Sequence, residues 1–434
     1  MMSARRRATR FAGMVGAVTA LGVLTACGGE GSPIGAGADQ PTAEDGSVVL
    51  EFSQWWEPEL PDGALRSIMD DFEAQNPGIT VELLSGPYAS TQQQTVAGAA
   101  SGTLADVVGL DGAWVNDLAG QQAITDLSSL MSQEGIDDGK LASQIQVDGK
   151  TYMIPVVNFV YPMFTNDAML ADAGVTAPPS TRSEFLDAAT KISATDGQYG
   201  WVLPLALDAP NGIQNDVMSW TWASGGSMLS DGKPDLTNES VTGTVEFVKQ
   251  LWDADAIAPG ALTMKEQDKV EQFTNGRVGM MIDSLAHVNL IRENAPDLDF
   301  SISAIPAEDG YTGERGMPYA SWGIGVSENS EHKAEAIKLV DYLMSTDVNS
   351  QLSSIANAFP GNTESVPDFV ESDESFEQAF DIWSSGVPAN EFVGLPTAED
   401  LMRSFDVELQ KTLAEGVPVS ESLAAAQEEW SAKF

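Results

Sequence analysis

Flat aromatic rings and carboxylates stand side by side in a few short segments of this chain, and together they could hold a polyhydroxylated ligand. The densest segment is Gln54-Trp55-Trp56-Glu57-Pro58-Glu59, directly after a strand-like run. A second is Leu110-Asp111-Gly112-Ala113-Trp114, with Tyr88 at the same level after another strand. A third is Trp220-Thr221-Trp222-Ala223-Ser224-Gly225-Gly226. A sugar ring offers a C–H face that lies on an aromatic ring and hydroxyls that pair with Asp, Glu, Asn, Gln or Arg, so these residue types suit it. In an open α/β lobe, ligands bind just past the strand C-termini, where the first two segments fall. Trp55, Trp56, Glu57, Tyr88, Asp111, Trp220 and Trp222 are therefore candidate ligand contacts. Competing roles stand beside them: one of Trp55 and Trp56 can plug the lobe, one of Trp220 and Trp222 can be core, and Asp111 can cap a helix.

Catalytic alternatives find little support. Glycoside hydrolysis needs two carboxylates about 5–10 Å apart, and with 64 acidic residues such a pair can arise by chance. No Gly-x-Ser-x-Gly elbow, His-Glu-x-x-His or Walker loop is present. The chain has one Cys and two His, Cys27, His287 and His332, which excludes Cys–His catalysis and His-rich metal sites. No Asp-x-Asp-x-Asp-Gly calcium loop is present either. The expectation is a binding protein with no catalytic residue, no cofactor and no metal. A lipid-anchored scaffold, the third class, would favour repeats or an all-β pattern, and neither is seen.

The elements that position these residues alternate. Val48–Phe52, Ile79–Leu84 and Ala105–Leu110 read as strands, and Asp62–Gln75 and Ser90–Ser101 as helices, which predicts an α/β domain with a largely parallel sheet. The second half is helix-rich: Thr181-Arg182-Ser183-Glu184 is a capping box, Val241, Val245, Val248 and Trp252 share a helical face, as do Ile337, Val340 and Leu343, and Thr397 is expected to cap a further helix. Short strands are expected at Tyr161–Thr165, Val278–Ile282 and Gly323–Val326.

At the N-terminus, Arg5, Arg6, Arg7 and Arg10 precede an apolar stretch from Phe11 to Leu24, too short to span a bilayer and fitting a secretory signal. Leu24-Thr25-Ala26-Cys27 resembles a bacterial lipobox, which implies cleavage after residue 26 and lipidation of Cys27. Residues 27–47 are poor in large apolar side chains and read as a tether. A mature chain of about 400 residues exceeds one core, so two domains are expected. The net charge of −43 argues against nucleic acid and disfavours an anionic ligand.

Several further segments occur in order: Asp70-Asp71-Phe72-Glu73-Ala74-Gln75-Asn76-Pro77-Gly78-Ile79-Thr80-Val81; Ala105-Asp106-Val107-Val108; Asp148-Gly149-Lys150-Thr151-Tyr152-Met153-Ile154-Pro155; Thr165-Asn166 with Ala173-Gly174-Val175 and Pro178 to Thr181; Gly276 to Ile282; and Trp322-Gly323-Ile324-Gly325-Val326 with Lys333 to Ala336. Spread over residues 48–434, this series resembles the family-1 extracellular solute-binding proteins of ABC importers. The resemblance implies a two-lobe periplasmic-binding-protein-like α/β fold with discontinuous lobes, 48–158 plus 284–327 and 159–283 plus 328–434, and hinge crossings near Asn158–Tyr161, Asp283 and Ser327–Ser330. Hinge closure of such proteins around a ligand is a standard example of domain motion. Site candidates implied at the crossings are Asn158, Phe159, Asp283 and Trp322, with Tyr161, His287, Arg315 and Tyr319 nearby. Asp208 lies in a loop that could reach the ligand. Asn211, Phe359, Asn362 and Trp383 are weaker. The implied function is capture of an oligosaccharide or glycoside by a monomer, lipid-anchored on the extracellular face of the bacterial cytoplasmic membrane, for delivery to two permease subunits. Polyol phosphates, peptides and a glycoside-active enzyme are the alternatives.

Overall fold

The computed structural model describes residues 47–434 apart from Ser372. The signal segment, Cys27 and nearly all of the tether lie outside the described residues. Among the described residues no helix is long and apolar enough to cross a membrane.

The first sheet runs in the order Phe359–Pro360, Lys150–Val160, Tyr319–Val326, Val107–Leu110, Val48–Gln54, Ile79–Ser85, with Ile145–Val147 paired to Lys150–Val160. Val48–Gln54 lies parallel to both Ile79–Ser85 and Val107–Leu110, joined by helices at Ala64–Gln75 and Tyr88–Ser101. This is the βα alternation read from the sequence. The remaining partners are antiparallel, so the sheet is mixed rather than largely parallel. The antiparallel strands arrive from distant segments, and their pairing depends on contacts that no local pattern carries.

The second sheet runs Phe300–Ser303, Met163–Asn166, Val278–Ile282, Tyr199–Trp201. Val278–Ile282 forms at the expected residues and is buried throughout. Helices Arg182–Ser193, Glu239–Asp253 and Ala398–Gln410 cover this lobe with Phe185, Val245, Val248, Met402 and Phe405. The Thr181–Glu184 capping box forms with both reciprocal hydrogen bonds. Thr397 precedes its helix, but it takes a left-handed conformation (φ 49°) and its side chain makes no cap. Its N–H donates instead to Asp117 Oδ1, 3.2 Å away in the first lobe.

The lobes are discontinuous, and two of the expected boundaries move. Residues after Asp283 do not return to lobe 1: Val288 and Ile291 enter the second lobe's core and Phe300–Ser303 pairs with Met163–Asn166. Ser327 and Ser330 do not leave lobe 1: the Ser327 N–H donates to the Asp106 carbonyl and the Ser330 hydroxyl to Asp106 Oδ1. The helices Lys333–Leu343 and Thr346–Ala356 then add Ile337, Val340, Leu343 and Leu352 to the first core. The chain thus crosses at Val160–Met163, at Met317–Tyr319 and after Pro360. The first two crossings are tied together, since the Tyr161 N–H donates to the Pro318 carbonyl at 3.0 Å.

Trp220 settles in the second core. It is fully buried, with Phe185, Trp201 and Phe247 around it at centroid distances of 4.9, 5.7 and 4.8 Å. Its ring cannot take a sugar face without opening that core. Trp220→Ala should cost about 3–5 kcal/mol of folding stability, read as a lower urea midpoint, while leaving the affinity of the folded fraction unchanged.

Candidate ligand cleft

Tyr161, at the first crossing, is where the two lobes face each other. Its hydroxyl is held well above its ordinary pKa, first by burial and then by four carboxylates: Glu266 and Asp283 of lobe 2, and Asp111 and Glu59 of lobe 1. Tyr161 and these four carboxylates, with the two lobe walls and the crossing strands, define the candidate cleft.

On the lobe-1 wall the Gln54–Glu59 segment divides. Trp55, buried at the end of its strand, meets Tyr88 at 5.3 Å and Trp114 at 5.4 Å, and Tyr88 meets Trp114 at 5.3 Å. Tyr88 stays half-buried, and its hydroxyl donates to Asp111 Oδ2 at 3.1 Å. Asp111 also accepts the Ala113 N–H at 2.9 Å, so the capping role and the cleft role are held by one carboxylate, with one oxygen in each. Burial raises its pKa, opposed by those two hydrogen bonds. Trp56 is fully buried. It stacks on Trp322 at 5.5 Å and 7° and meets Phe52 edge-on, so it is the plug and not a platform. Glu57 turns to the Ser85 hydroxyl at the sheet edge. Glu59 keeps solvent access at the mouth while protein crowds it. Burial pushes it up to about 7, against a hydrogen bond from Trp322 and attraction from His287 across the cleft.

On the lobe-2 wall the centre is a buried ion cluster. Lys269 and Asp216 have fully buried side chains, with Lys269 Nζ 3.1 Å from Asp216 Oδ2 and donating to the Ile282 carbonyl at 2.7 Å. Burial alone would lower Lys269, but Asp216, Glu266 and Asp283 outweigh it and hold the ammonium above its ordinary value. Asp283 Oδ2 lies 2.8 Å from His287 Nδ1. Despite complete burial, which pushes the other way, His287 and Lys269 hold the Asp283 pKa low, and Asp283 in turn raises His287. Asp216 and Asn215 lie on a π-helical turn, Ile213–Met218, that is buried throughout. Such turns recur at functional sites. The Asn215 amide donates to Glu266 Oε1 at 2.7 Å.

The second lobe also reaches the first directly. Glu399 accepts from Gln92, Asn116 donates to the Gly394 carbonyl at 3.0 Å, and the Gly394 N–H donates to the Gly112 carbonyl at 3.1 Å.

Of the sequence candidates, Asp111 and Asp283 act on Tyr161 directly, Tyr88 and Trp55 are linked to it through Asp111, and Trp322 through Glu59; Trp55, Phe159 and Trp322 are themselves buried. Phe159 packs on Trp322 at 4.9 Å. Asn158 does not join them: its side chain accepts from Ser321 and donates to the Pro360 carbonyl within the sheet. Asp208 is exposed and ion-paired with Lys265 at 2.6 Å. Trp222 is buried, its indole N–H donating to Glu391 Oε2 at 2.8 Å, and it lines a cavity of about 530 Å³ with Tyr319 and Asn390. Arg315 is spent on the carbonyls of Ile305 and Ser180. Phe359 and Asn362 are buried, and Trp383 lies against Phe359 at 6.0 Å. Glu266, Lys269, Asp216 and Asn215 were missed. Three carboxylate or amide groups near one Lys in a helix-rich stretch look like an ordinary polar surface, and only the burial marks them.

Two variants test the cluster. Lys269→Ala leaves the Asp216 and Asp283 carboxylates uncompensated and should cost about 3–5 kcal/mol. His287 has a folded pKa above its unfolded value of about 6.5. Its contribution is therefore full below the unfolded value and lost as pH rises through the folded one. Urea midpoints of the wild type and His287→Gln should differ most at and below about pH 6 and draw together as pH rises above the folded value.

The sequence is 30% identical over 299 residues, 68% of this chain and 71% of the other, to a Brucella abortus strain 2308 protein whose name provisionally calls it a binding protein. It is 24% identical over 322 residues, 71% of this chain and 69% of the other, to an uncharacterised lipoprotein of Streptomyces antibioticus. The fold is similar to the cyclic α-maltosyl-1,6-maltose binding protein of Arthrobacter globiformis, with TM-score 0.76 and 20% identity over 89% of this chain and 99% of that one. It is also similar to an ABC-transporter solute-binding protein of Thermotoga lettingae bound with α-D-tagatose, with TM-score 0.73 and 22% identity over 89% and 99%. The sequence profile of the bacterial extracellular solute-binding proteins matches residues 57–350, and the chain, with its two α/β lobes, belongs to that family.

Proposed function

We propose that this protein captures a carbohydrate between its lobes and delivers it to the permease subunits of an ABC importer, held at the outer face of the membrane by a lipid on Cys27. The observation that carries the reading is the composition of the cleft around Tyr161. Aromatic rings from lobe 1 and the crossing strands stand beside carboxylates from both lobes, the pairing that a pyranose needs. The sugars named for the two similar structures support it. The lobe-to-lobe hydrogen bonds at Gly394, Asn116 and Glu399 give closure a structural seat. A phosphate is disfavoured, because the two bases at the cleft, Lys269 and His287, are already paired with carboxylates. The lipobox, and the lipoprotein name of the Streptomyces relative, support the anchor.

Calorimetric titration with mono- and oligosaccharides is the direct test, and failure of every sugar to bind would sink the reading. Removing a hydroxyl contact costs about 0.5–1.5 kcal/mol. Tyr161→Phe should therefore weaken sugar binding by up to about tenfold without lowering the melting temperature. Cys27→Ala should move the protein from the membrane fraction to the medium.

A further inference from the structure

Neither Tyr161 nor any of its four carboxylates lines the cavity that Trp222, Tyr319 and Asn390 share. Its volume of about 530 Å³ falls within the range of about 300–1,000 Å³ typical of small-molecule sites. The walls are held in place by backbone. Gly225 is left-handed (φ 67°), and a Cβ there would meet the Tyr311 hydroxyl at 2.5 Å, while one on Gly316 would meet the Trp222 carbonyl oxygen at 2.4 Å. Both positions must stay bare for Tyr311 and Trp222 to stand where they do. Opposite them, Val387–Pro388 pairs in parallel with Gly316–Met317, and the Ala389 N–H donates to the Met317 carbonyl at 2.9 Å. The Asn390 amide donates to the Tyr319 carbonyl at 2.9 Å. Glu391 accepts the Trp222 indole N–H and the Met228 N–H, both at 2.8 Å, and the Ser227 hydroxyl. Walls fixed in this way need little ordering when a ligand enters.

The lining selects the ligand's chemistry. No Lys, Arg or His is among the described residues that line the cavity, whereas Glu314 and Glu391 are, so an anion is disfavoured. Neither carboxylate calls for a cation: Glu391 already has three donors, and Glu314 is exposed, where water and salt screen it. Tyr311 and Tyr319 are half-buried rings. The Tyr319 hydroxyl has no hydrogen-bond partner among the described residues, and burial is the one influence on its pKa. A neutral ligand with C–H surface for the rings and hydroxyls for Tyr319 and the carboxylate oxygens satisfies all of these groups. We infer that this cavity is a second carbohydrate site, which takes a neutral sugar ring against Tyr311 and Tyr319. Its walls come from lobe 2 and from Tyr319 at the crossing, so it is complete without closure of the lobes, unlike the cleft around Tyr161. The assignment rests on the cavity's own lining and adds a site to the carbohydrate reading.

The test is calorimetric titration of the mature chain with glucose, galactose, maltose and isomaltose, counting bound equivalents in the wild type and in Val387→Trp, Tyr319→Phe and Tyr161→Phe. Val387 lines the cavity and is 45% exposed, so an indole there fills the space without disturbing the core, and an unchanged melting temperature verifies it. The expected result is two equivalents of sugar in the wild type. Val387→Trp should abolish one of them and leave the other unchanged. Tyr319→Phe should weaken the same one by up to about tenfold, and Tyr161→Phe should weaken only the other. A single equivalent that Tyr161→Phe weakens and Val387→Trp spares overturns the second site and leaves the carbohydrate reading standing. So do two equivalents that Val387→Trp leaves unmoved. A single equivalent that Val387→Trp abolishes and Tyr161→Phe spares supports the cavity site and overturns the cleft. No binding tighter than about 10 mM by any of the four sugars overturns both.

Discussion

The lobe-2 side of the cleft depends on one buried ammonium. Lys269 Nζ sits where two segments meet: the π-helical turn that carries Asp216, and the end of the strand Val278–Ile282, through the Ile282 carbonyl and the Asp283 carboxylate that follows it. In a low-dielectric interior none of these charges is tolerable alone, and removing one partner strands the others. The cluster therefore fixes the relative positions of Asn215, Glu266 and Asp283 more tightly than apolar packing of equal volume would, because hydrogen-bond directions are added to distance. It also lies at the crossing: the Asp283 N–H donates to the Pro162 carbonyl at 3.3 Å, one residue from Tyr161.

The lobe-1 wall achieves the same rigidity by aromatic packing. Tryptophan faces are large and have few rotatable bonds, so once packed against each other they hold position at little entropic cost. Two rows result. Trp55, Tyr88 and Trp114 support Asp111 through the Tyr88 hydroxyl, and Phe52, Trp56, Trp322 and Phe159 run from the core of the sheet to the crossing strand. The second row explains why Trp56 is not a platform: it is held between Phe52 and Trp322 in a core that also buries Phe159.

What could be read from the sequence follows from which interactions are local. The βα alternation from Val48 to Leu110, the Thr181–Glu184 capping box and the strand at Val278–Ile282 are set by hydrophobic period and by side chains within a few residues, and each was legible. So was the gathering of Trp55, Tyr88 and Asp111, because strand C-termini in one sheet converge. The lobe boundaries were not legible. Whether Val288 and Phe300 or Ile337 and Leu352 pack in one core or the other is decided by partners more than 100 residues away. Trp220 and Trp222 read alike, one helical residue apart from sharing a face, and only the surrounding Phe185, Trp201 and Phe247 assign Trp220 to the interior. The Lys269 cluster was hidden for a related reason: a lysine among acids is surface-like in any sequence window, and its burial is a tertiary fact.

Thr397 shows how contact between the lobes is held in check. A β-branched residue at φ 49° is strained, and its hydroxyl is buried without a partner. Both are costs, and they fall in the segment that reaches lobe 1. What offsets them is made across the lobes: the Thr397 N–H on Asp117, the Gly394 N–H on the Gly112 carbonyl, and Asn116 on the Gly394 carbonyl. The approach is close enough that a Cβ on Gly112 would come within 2.8 Å of Val393. Local strain is thus set against interlobe hydrogen bonds that are each worth only about 0.5–1.5 kcal/mol in water. A binding protein needs that balance. If contact between the lobes were strongly favoured without ligand, the cleft would rarely admit one, and the ligand's own contacts could shift the closure equilibrium only by their difference between the two states.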